Sequence, residues 1–257
     1  MHKMIMCLAL CMGLRADSIN DVLAQTCIKK HYAQVAKIAN NEVILKDGSR
    51  FVWDDGLDKS YEQKLSNPDM NDAFGTPYPL SGFVTKRDED TSRIRHLGFY
   101  KQIYGHTESE VKKQLVTLAW FENFPKNFVL ITTANGVDKA LTRVIARLKQ
   151  LPKEYHKFLM YQDTFYWRNI ADSPNLSPHS FAIALDINTK FSKYWLWDKK
   201  QHDMYHYENE IPLEIVRAFE EEGFIWGGRW WHYDTMHFEY RPEIICYAKG
   251  IATKSQN

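Results

Sequence analysis

The 257-residue chain lacks several features that would each announce a class of function. It has no excess of one charge: 33 Lys+Arg stand against 32 Asp+Glu, and no stripe of basic residues runs along any segment. Nucleic-acid binding draws much of its affinity from neutralised phosphates, so this balance excludes it as a primary role. There is no Gly-x-Ser-x-Gly turn and no Gly-rich phosphate loop, which removes the commonest serine-nucleophile and nucleotide-binding devices. Only 12 glycines and 9 prolines are present, so the chain is neither low-complexity nor collagen-like. No apolar run is long enough to span a bilayer. What is there is 44% hydrophobic and 14% aromatic, enough to bury a sizeable core in one large domain or two small ones.

The four cysteines are unevenly placed. Two lie in "MHKMIMCLALCMGLRAD", where a basic start at Lys3, an apolar run from Met4 to Leu14 and a small residue at Ala16 read as a secretory signal peptide. Leu10 before Cys11 and Met6 before Cys7 are too large for a lipoprotein signal. A buried N-terminal helix is the alternative. Removal of the signal leaves Cys27 and Cys246, which can form one disulfide under the oxidising conditions met on export. Two unpaired buried thiols are the other reading.

Apolar positions Ile28, Tyr32, Val35 and Ile38 predict a helix over Gln25–Ala39, stopped by Asn40 and Asn41. "EVILKDGSRFVW" predicts a hairpin turning at Asp47-Gly48. From Asp54 to His106 the Pro, Gly, Asp and Asn content predicts irregular structure wrapping the core, and its aromatic residues argue against disorder. Thr107 and Glu110 form a capping box for a helix burying Val111, Leu115 and Leu118. "NFVLITT" reads as a buried strand, and Val137, Leu141, Val144, Ile145 and Leu148 mark an amphipathic helix closed before Pro152. "FAIALDIN" and "MHFEY" read as strands, with a helix from Pro212 to Glu222 between them. Helices beside strands without βαβ repetition predict an α+β fold.

Cysteine nucleophiles rank low, because Cys246 lies in the apolar "EIICYA". Metal chemistry ranks higher, and two candidates compete. "HDMYH", His202 to His206, has the i, i+4 spacing of a helical zinc protease, but its flanks give no apolar helix face. The second candidate joins His179 and Asp186 in "SPHSFAIALDIN" with Asp234 and His237 in "DTMHFEY". Two neutral imidazoles and a carboxylate, His179, His237 and Asp186, would hold zinc with a fourth position open to water. Asp234 would be the carboxylate that takes the water's proton and passes it to the leaving amine. Each residue singly has a bland reading, a core histidine or a turn-capping aspartate; the spacings together are specific. Met236, Phe238 and Tyr240 would pack on the opposite face, and Trp226, Trp230 and Trp231 would wall the cleft or simply fill the core. His232 would serve the transition state or the surface, and Glu239, on the strand face of His237, would partner an imidazole.

Ser177-x-His179, six residues, Asp186, and then Asp234-x-x-His237 resembles the zinc D-alanyl-D-alanine carboxypeptidases and the related phage L-alanyl-D-glutamate endolysins. The resemblance runs from about Phe165 to Tyr240. It implies that His179, Asp186 and His237 bind one Zn2+ and that Asp234 is the general base. It further implies that Arg168, in "FYWR", is catalytic by binding the substrate carboxylate or the polarised carbonyl, and that Ser177 hydrogen-bonds the peptide, although Ser177 before Pro178 also suits a plain turn. Ala182 stands where the family usually has glycine, a position that asks for positive φ or close backbone approach.

The expected layout is a signal peptide at 1–16, an N-terminal helical and hairpin extension wrapping the core at 17–106, and a zinc peptidase domain at 107–257, whose small antiparallel sheet flanked by helices holds the metal. The expected function is exported, periplasmic or cell-wall-associated hydrolysis of peptidoglycan stem peptides, of the D-Ala-D-Ala carboxypeptidase or the L-Ala-D-Glu endopeptidase type, with no nucleic-acid partner and no membrane span in the mature chain. The alternative is a catalytically inactive, zinc-containing cell-wall-binding module.

Overall fold

A computed structural model describes residues 19–161, 163–171, 173–197 and 206–254. The expected signal segment and most of the His202–His206 motif lie outside these residues. Helix α1 spans Ile19–His31, with Asp21 in its first turn and Lys29, Lys30 and His31 in its last, charges that complement the helix dipole. The predicted helix therefore begins earlier and ends sooner. Val35 and Ile38 belong instead to strand β1, Val35–Ala39, which pairs antiparallel with β2, Glu42–Leu45. Asn40 and Asn41 both adopt positive φ, 53° and 61°, and so make the two-residue turn of a hairpin rather than a helix stop. Strand β3, Arg50–Val52, completes this antiparallel meander across the predicted Asp47-Gly48 turn.

The following stretch wraps the core with short helices. α2, Tyr61–Ser66, opens on a capping box between Ser60 and Gln63. α3, Leu97–Tyr104, was not expected in a segment read as irregular; it buries Phe99, Tyr100, Ile103 and Tyr104. Thr107 caps α4, Glu108–Lys112, as predicted, but that helix is short. Leu115 and Leu118 lie in strand β4, Leu115–Ala119, which pairs antiparallel with β5, Phe128–Thr132. Pairing with β5 along the whole segment gives it a ladder of backbone hydrogen bonds, which outweighs a short helical spacing. Helix α5, Val137–Leu148, buries the apolar face anticipated for it.

The third sheet carries the chemistry. Its order is β6 (Ala184–Asp186), β8 (His237–Tyr240), β7 (Phe224–Trp226), all antiparallel. Helix α6, Leu213–Glu220, precedes β7, and α7, Pro242–Lys254, follows β8. The mixture of helices and small antiparallel sheets is the α+β class, and one contiguous apolar cluster runs from Ala24 to Ala248. α1 packs on α7, where Cys27 and Cys246 form a disulfide with Cα atoms 5.7 Å apart. Among the described residues no helix is long and apolar enough to cross a membrane.

Candidate metal centre

Register brings the ligands together. In the β6–β8 ladder Asp186 is the direct partner of His237, so the two side chains stand opposite each other on one face. His179 reaches the same point from a 3-10 turn, Pro178–Phe181, that leads into β6. The turn is capped by Ser177, whose Oγ accepts the His179 backbone N–H at 3.3 Å. It ends at Ala182, held at φ 52° and ψ 40°. For a residue with a Cβ this left-handed conformation costs about 1 kcal/mol, which is why glycine is the default there.

His179 Nε2 lies 3.2 Å from Asp186 Oδ1 and 3.3 Å from His237 Nδ1, and His237 Nδ1 lies 3.0 Å from Asp186 Oδ1. Ligands about 2.0 Å from a tetrahedral zinc are separated from one another by about 3.3 Å, so this triangle already has the edges of one face of such a site. The tautomers agree. His179 Nδ1 is 2.8 Å from the Thr164 carbonyl, which can only accept, so Nδ1 carries the proton and Nε2 offers its lone pair to the cluster. His237 Nδ1 faces the cluster while its Nε2 lies 3.5 Å from Glu239 Oε2. The donor set and spacing thus fit a metal ion of the zinc class.

The charges follow from these contacts. Burial opposes ionisation of Asp186, but His179 and His237 outweigh it and hold the carboxyl far below the ordinary carboxylate range. Burial alone would lower His237; the Asp186 and Glu239 carboxylates instead raise it to about 9. The metal-free site therefore holds a proton on His237 at neutral pH, and a ligating imidazole must lose it. Metal affinity is expected to rise with pH, by about tenfold per unit below about pH 9, because one proton is released. Zinc titration against a competing chelator at three pH values checks this; an affinity independent of pH from 6 to 8 would remove the proton from His237.

Glu239 is fully buried beneath His237. Arg95 forks onto it, with Nε at 2.8 Å and 2.9 Å from the two carboxylate oxygens and Nη2 at 2.5 Å from Oε2. Burial would raise Glu239, but Arg95 keeps it ionised, well below its usual range. The carboxylate in turn faces the His237 ring at 3.5 Å, an ion-pair contact longer than a hydrogen bond. Arg95→Ala is expected to weaken metal binding by about 10–100-fold, with partial recovery in Arg95→Lys, read by the same chelator competition. Unchanged affinity in both variants would mean that β8 alone orients His237.

Asp234 stands at the rim of the triad, with Oδ1 buried and without a hydrogen-bond partner among the described residues. Burial first, and then the charge of Asp186, push its carboxyl up to about 6. Its backbone is held by Gly227, whose carbonyl accepts the Asp234 N–H at 3.1 Å and the Trp230 N–H at 3.2 Å. A Cβ on Gly227 would meet the Asp234 carbonyl at 2.4 Å, so only glycine permits this approach.

These groups open into a cleft of about 600 Å³ that is also lined by Ser177, Arg168, Arg93 and Trp230. The Trp230 ring lies 5.8 Å from that of His237, as expected of a wall. Trp226 does not line the cleft; it is buried against Phe238, because β7 turns it into the core. Trp231 instead packs on His232. Phe238 and Tyr240 pack as predicted, but Met236 faces the cleft, since it precedes the regular strand. His232 is buried, its Nδ1 3.0 Å from Asp90 Oδ2 and its ring stacked on Tyr61. Sequence reading missed Asp90, Arg93 and Arg95; the signal available was three charges in "DTSRIR" ahead of the apolar face of α3.

No curated protein and no solved structure matches this chain. Residues 171–240 match a family model described as D-alanyl-D-alanine carboxypeptidase. The segment that brings His179, Asp186, Asp234 and His237 into one cleft is therefore similar to that peptidase family, and the resemblance read from its motif spacing is borne out there.

Proposed function

We propose that the protein is an exported zinc metallopeptidase that hydrolyses peptidoglycan stem peptides, either trimming a terminal D-Ala or cutting an internal bond of the L-Ala to D-Glu type. The observation that carries the reading is the His179–Asp186–His237 triangle, with edges of 3.0–3.3 Å, inside the segment matched by the family model. His179, Asp186 and His237 would hold the metal. When bound, zinc polarises a carbonyl and makes water acidic enough to attack near neutral pH.

The remaining steps belong to the chain. Asp234, buried at the rim of the triad with Oδ1 free of any hydrogen-bond partner among the described residues, takes the attacking water's proton and delivers it to the leaving amine. Arg168 offers a cation to the carbonyl oxygen as negative charge grows on it. Ser177, at the cleft wall, hydrogen-bonds the peptide backbone. A signal segment at 1–16 and a disulfide between Cys27 and Cys246 both suit a substrate outside the cytoplasm.

The test is mass spectrometry of muropeptides after incubation with the zinc-loaded chain lacking residues 1–16. Released D-Ala supports the carboxypeptidase form and a divided stem supports the endopeptidase form. A freed sugar chain would mean an amidase instead. Zinc bound with no product would favour the wall-binding module.

A further inference from the structure

The segment 90–95 lies outside the stretch matched by the family model, yet it brings Arg93 and Arg95 to the cleft that holds the metal triad and sets Asp90 against His232. Their partners differ. Arg95 is committed to Glu239. Asp90 is buried and committed to His232, accepting its backbone N–H at 3.1 Å and facing Nδ1 with both oxygens. Arg93 shares the Asp90 charge only at long range. Its Nη1 donates to the neutral Tyr61 hydroxyl at 3.2 Å, and its nearest carboxylate oxygen, on Asp90, is 3.8 Å away, beyond hydrogen-bond length. Its guanidinium lies over the Trp230 ring at 5.7 Å, and the same ring stands 5.8 Å from the ring of His237.

This arrangement has a chemical consequence. A guanidinium carries five N–H donors in a planar fork that matches a carboxylate with two parallel bonds. Here the fork is oriented by an aromatic platform and a phenol, and it lines the cleft that holds Asp234 and His237. Its side chain is only 20% exposed, so water compensates it poorly. An anionic ligand would offset that cost.

We infer that Arg93, standing on Trp230, is the residue that receives an ionised carboxylate of the bound peptide. The inference rests on the peptidase reading and deepens it: Arg93 takes the carboxylate, which leaves Arg168 for the carbonyl under attack. The carboxylate has two sources, the terminal carboxylate of the stem or one borne by a residue within it. The chemistry of recognition is the same for both.

The experiment uses the zinc-loaded mature chain, Arg93→Met and Arg93→Lys, with stem peptides as free acids, as terminal amides and as side-chain amides. Hydrolysis is followed as kcat and KM, and binding by calorimetry on the Asp234→Asn background. Amidation of the recognised carboxylate is expected to lower kcat/KM and affinity of the Arg93 chain by about 10–100-fold, the effect of losing a charge-assisted pair. The amide that does so identifies the source. Arg93→Met should lose a similar factor on the free acid and should no longer distinguish acid from amide, whereas Arg93→Lys should keep part of the preference. Should Arg93→Met fail to fold, the response of the Arg93 chain to the two amides together with Arg93→Lys still decides. Cleavage with equal preference for acids and amides, or an acid preference undiminished in Arg93→Met, overturns the inference and leaves the peptidase standing. Acid-selective binding through Arg93 without cleavage sinks the peptidase and leaves the carboxylate site.

Discussion

His237→Ala is expected to abolish metal binding and hydrolysis together, whereas Asp234→Asn keeps about one metal per chain and lowers kcat by about 10²–10⁴-fold. The two residues are only a turn apart in sequence, with His237 N–H donating to the Asp234 carbonyl at 3.2 Å, but their side chains have different partners. His237 Nδ1 is one corner of the triad, 3.0 Å from Asp186 and 3.3 Å from His179. Its loss leaves two protein ligands, too few to hold zinc against water. Asp234 is not a corner of that triad, and its Oδ1 has no hydrogen-bond partner among the described residues. Asparagine matches it in shape but cannot take a proton. Metal analysis, circular dichroism and stem-peptide kinetics on the two variants separate ligand from base. Loss of metal in Asp234→Asn would make Asp234 a ligand, and full activity in that variant would require another base.

Removing the disulfide by Cys27→Ala with Cys246→Ala is expected to cost about 4 kcal/mol of stability while metal stoichiometry stays unchanged. The two cysteines are 219 residues apart, so the bridge closes a loop over most of the chain; loop-closure entropy for that length gives about 5.4 kcal/mol, which residual structure in the unfolded chain reduces. It sits where α1 packs on α7, and there the helices run close: a Cβ on Gly250 would meet Leu23 at 2.7 Å. Unfolding in denaturant of the oxidised protein beside the double variant measures the difference. A loss under about 1 kcal/mol would mean that the unfolded chain is already compact. Loss of metal would mean that the α1–α7 contact supports the third sheet.

Much of the site was legible because its chemistry is written in local spacing. His179 and Asp186 bracket a single turn and strand, and Asp234 and His237 lie within one more, so residue type and interval were enough to nominate them. Helix α5 was legible for a related reason: its apolar face repeats over a full 12 residues, long enough to be unambiguous. Shorter signals misled. Val35 and Ile38 fit a helix until Asn40 and Asn41 are seen at positive φ, and Leu115 and Leu118 fit a helix until β5 is seen to pair with them. In both places a backbone partner elsewhere in the chain decided the state, and no local spacing reports that partner.

By itself, the sequence determined the α+β class, a candidate ligand set with its candidate base, and the cysteines able to bridge the ends. Those properties depend on residue identity and on intervals of a few residues. Tertiary structure decided what surrounds them. The register of β6 against β8 sets Asp186 opposite His237. Arg95 reaches Glu239 across 144 residues to hold its carboxylate 3.5 Å from that imidazole. Arg93 comes to rest on Trp230 beside the same cleft. Contacts between segments so far apart depend on how the whole core packs, because a side chain's partner is chosen by the shape and charge of what folds against it.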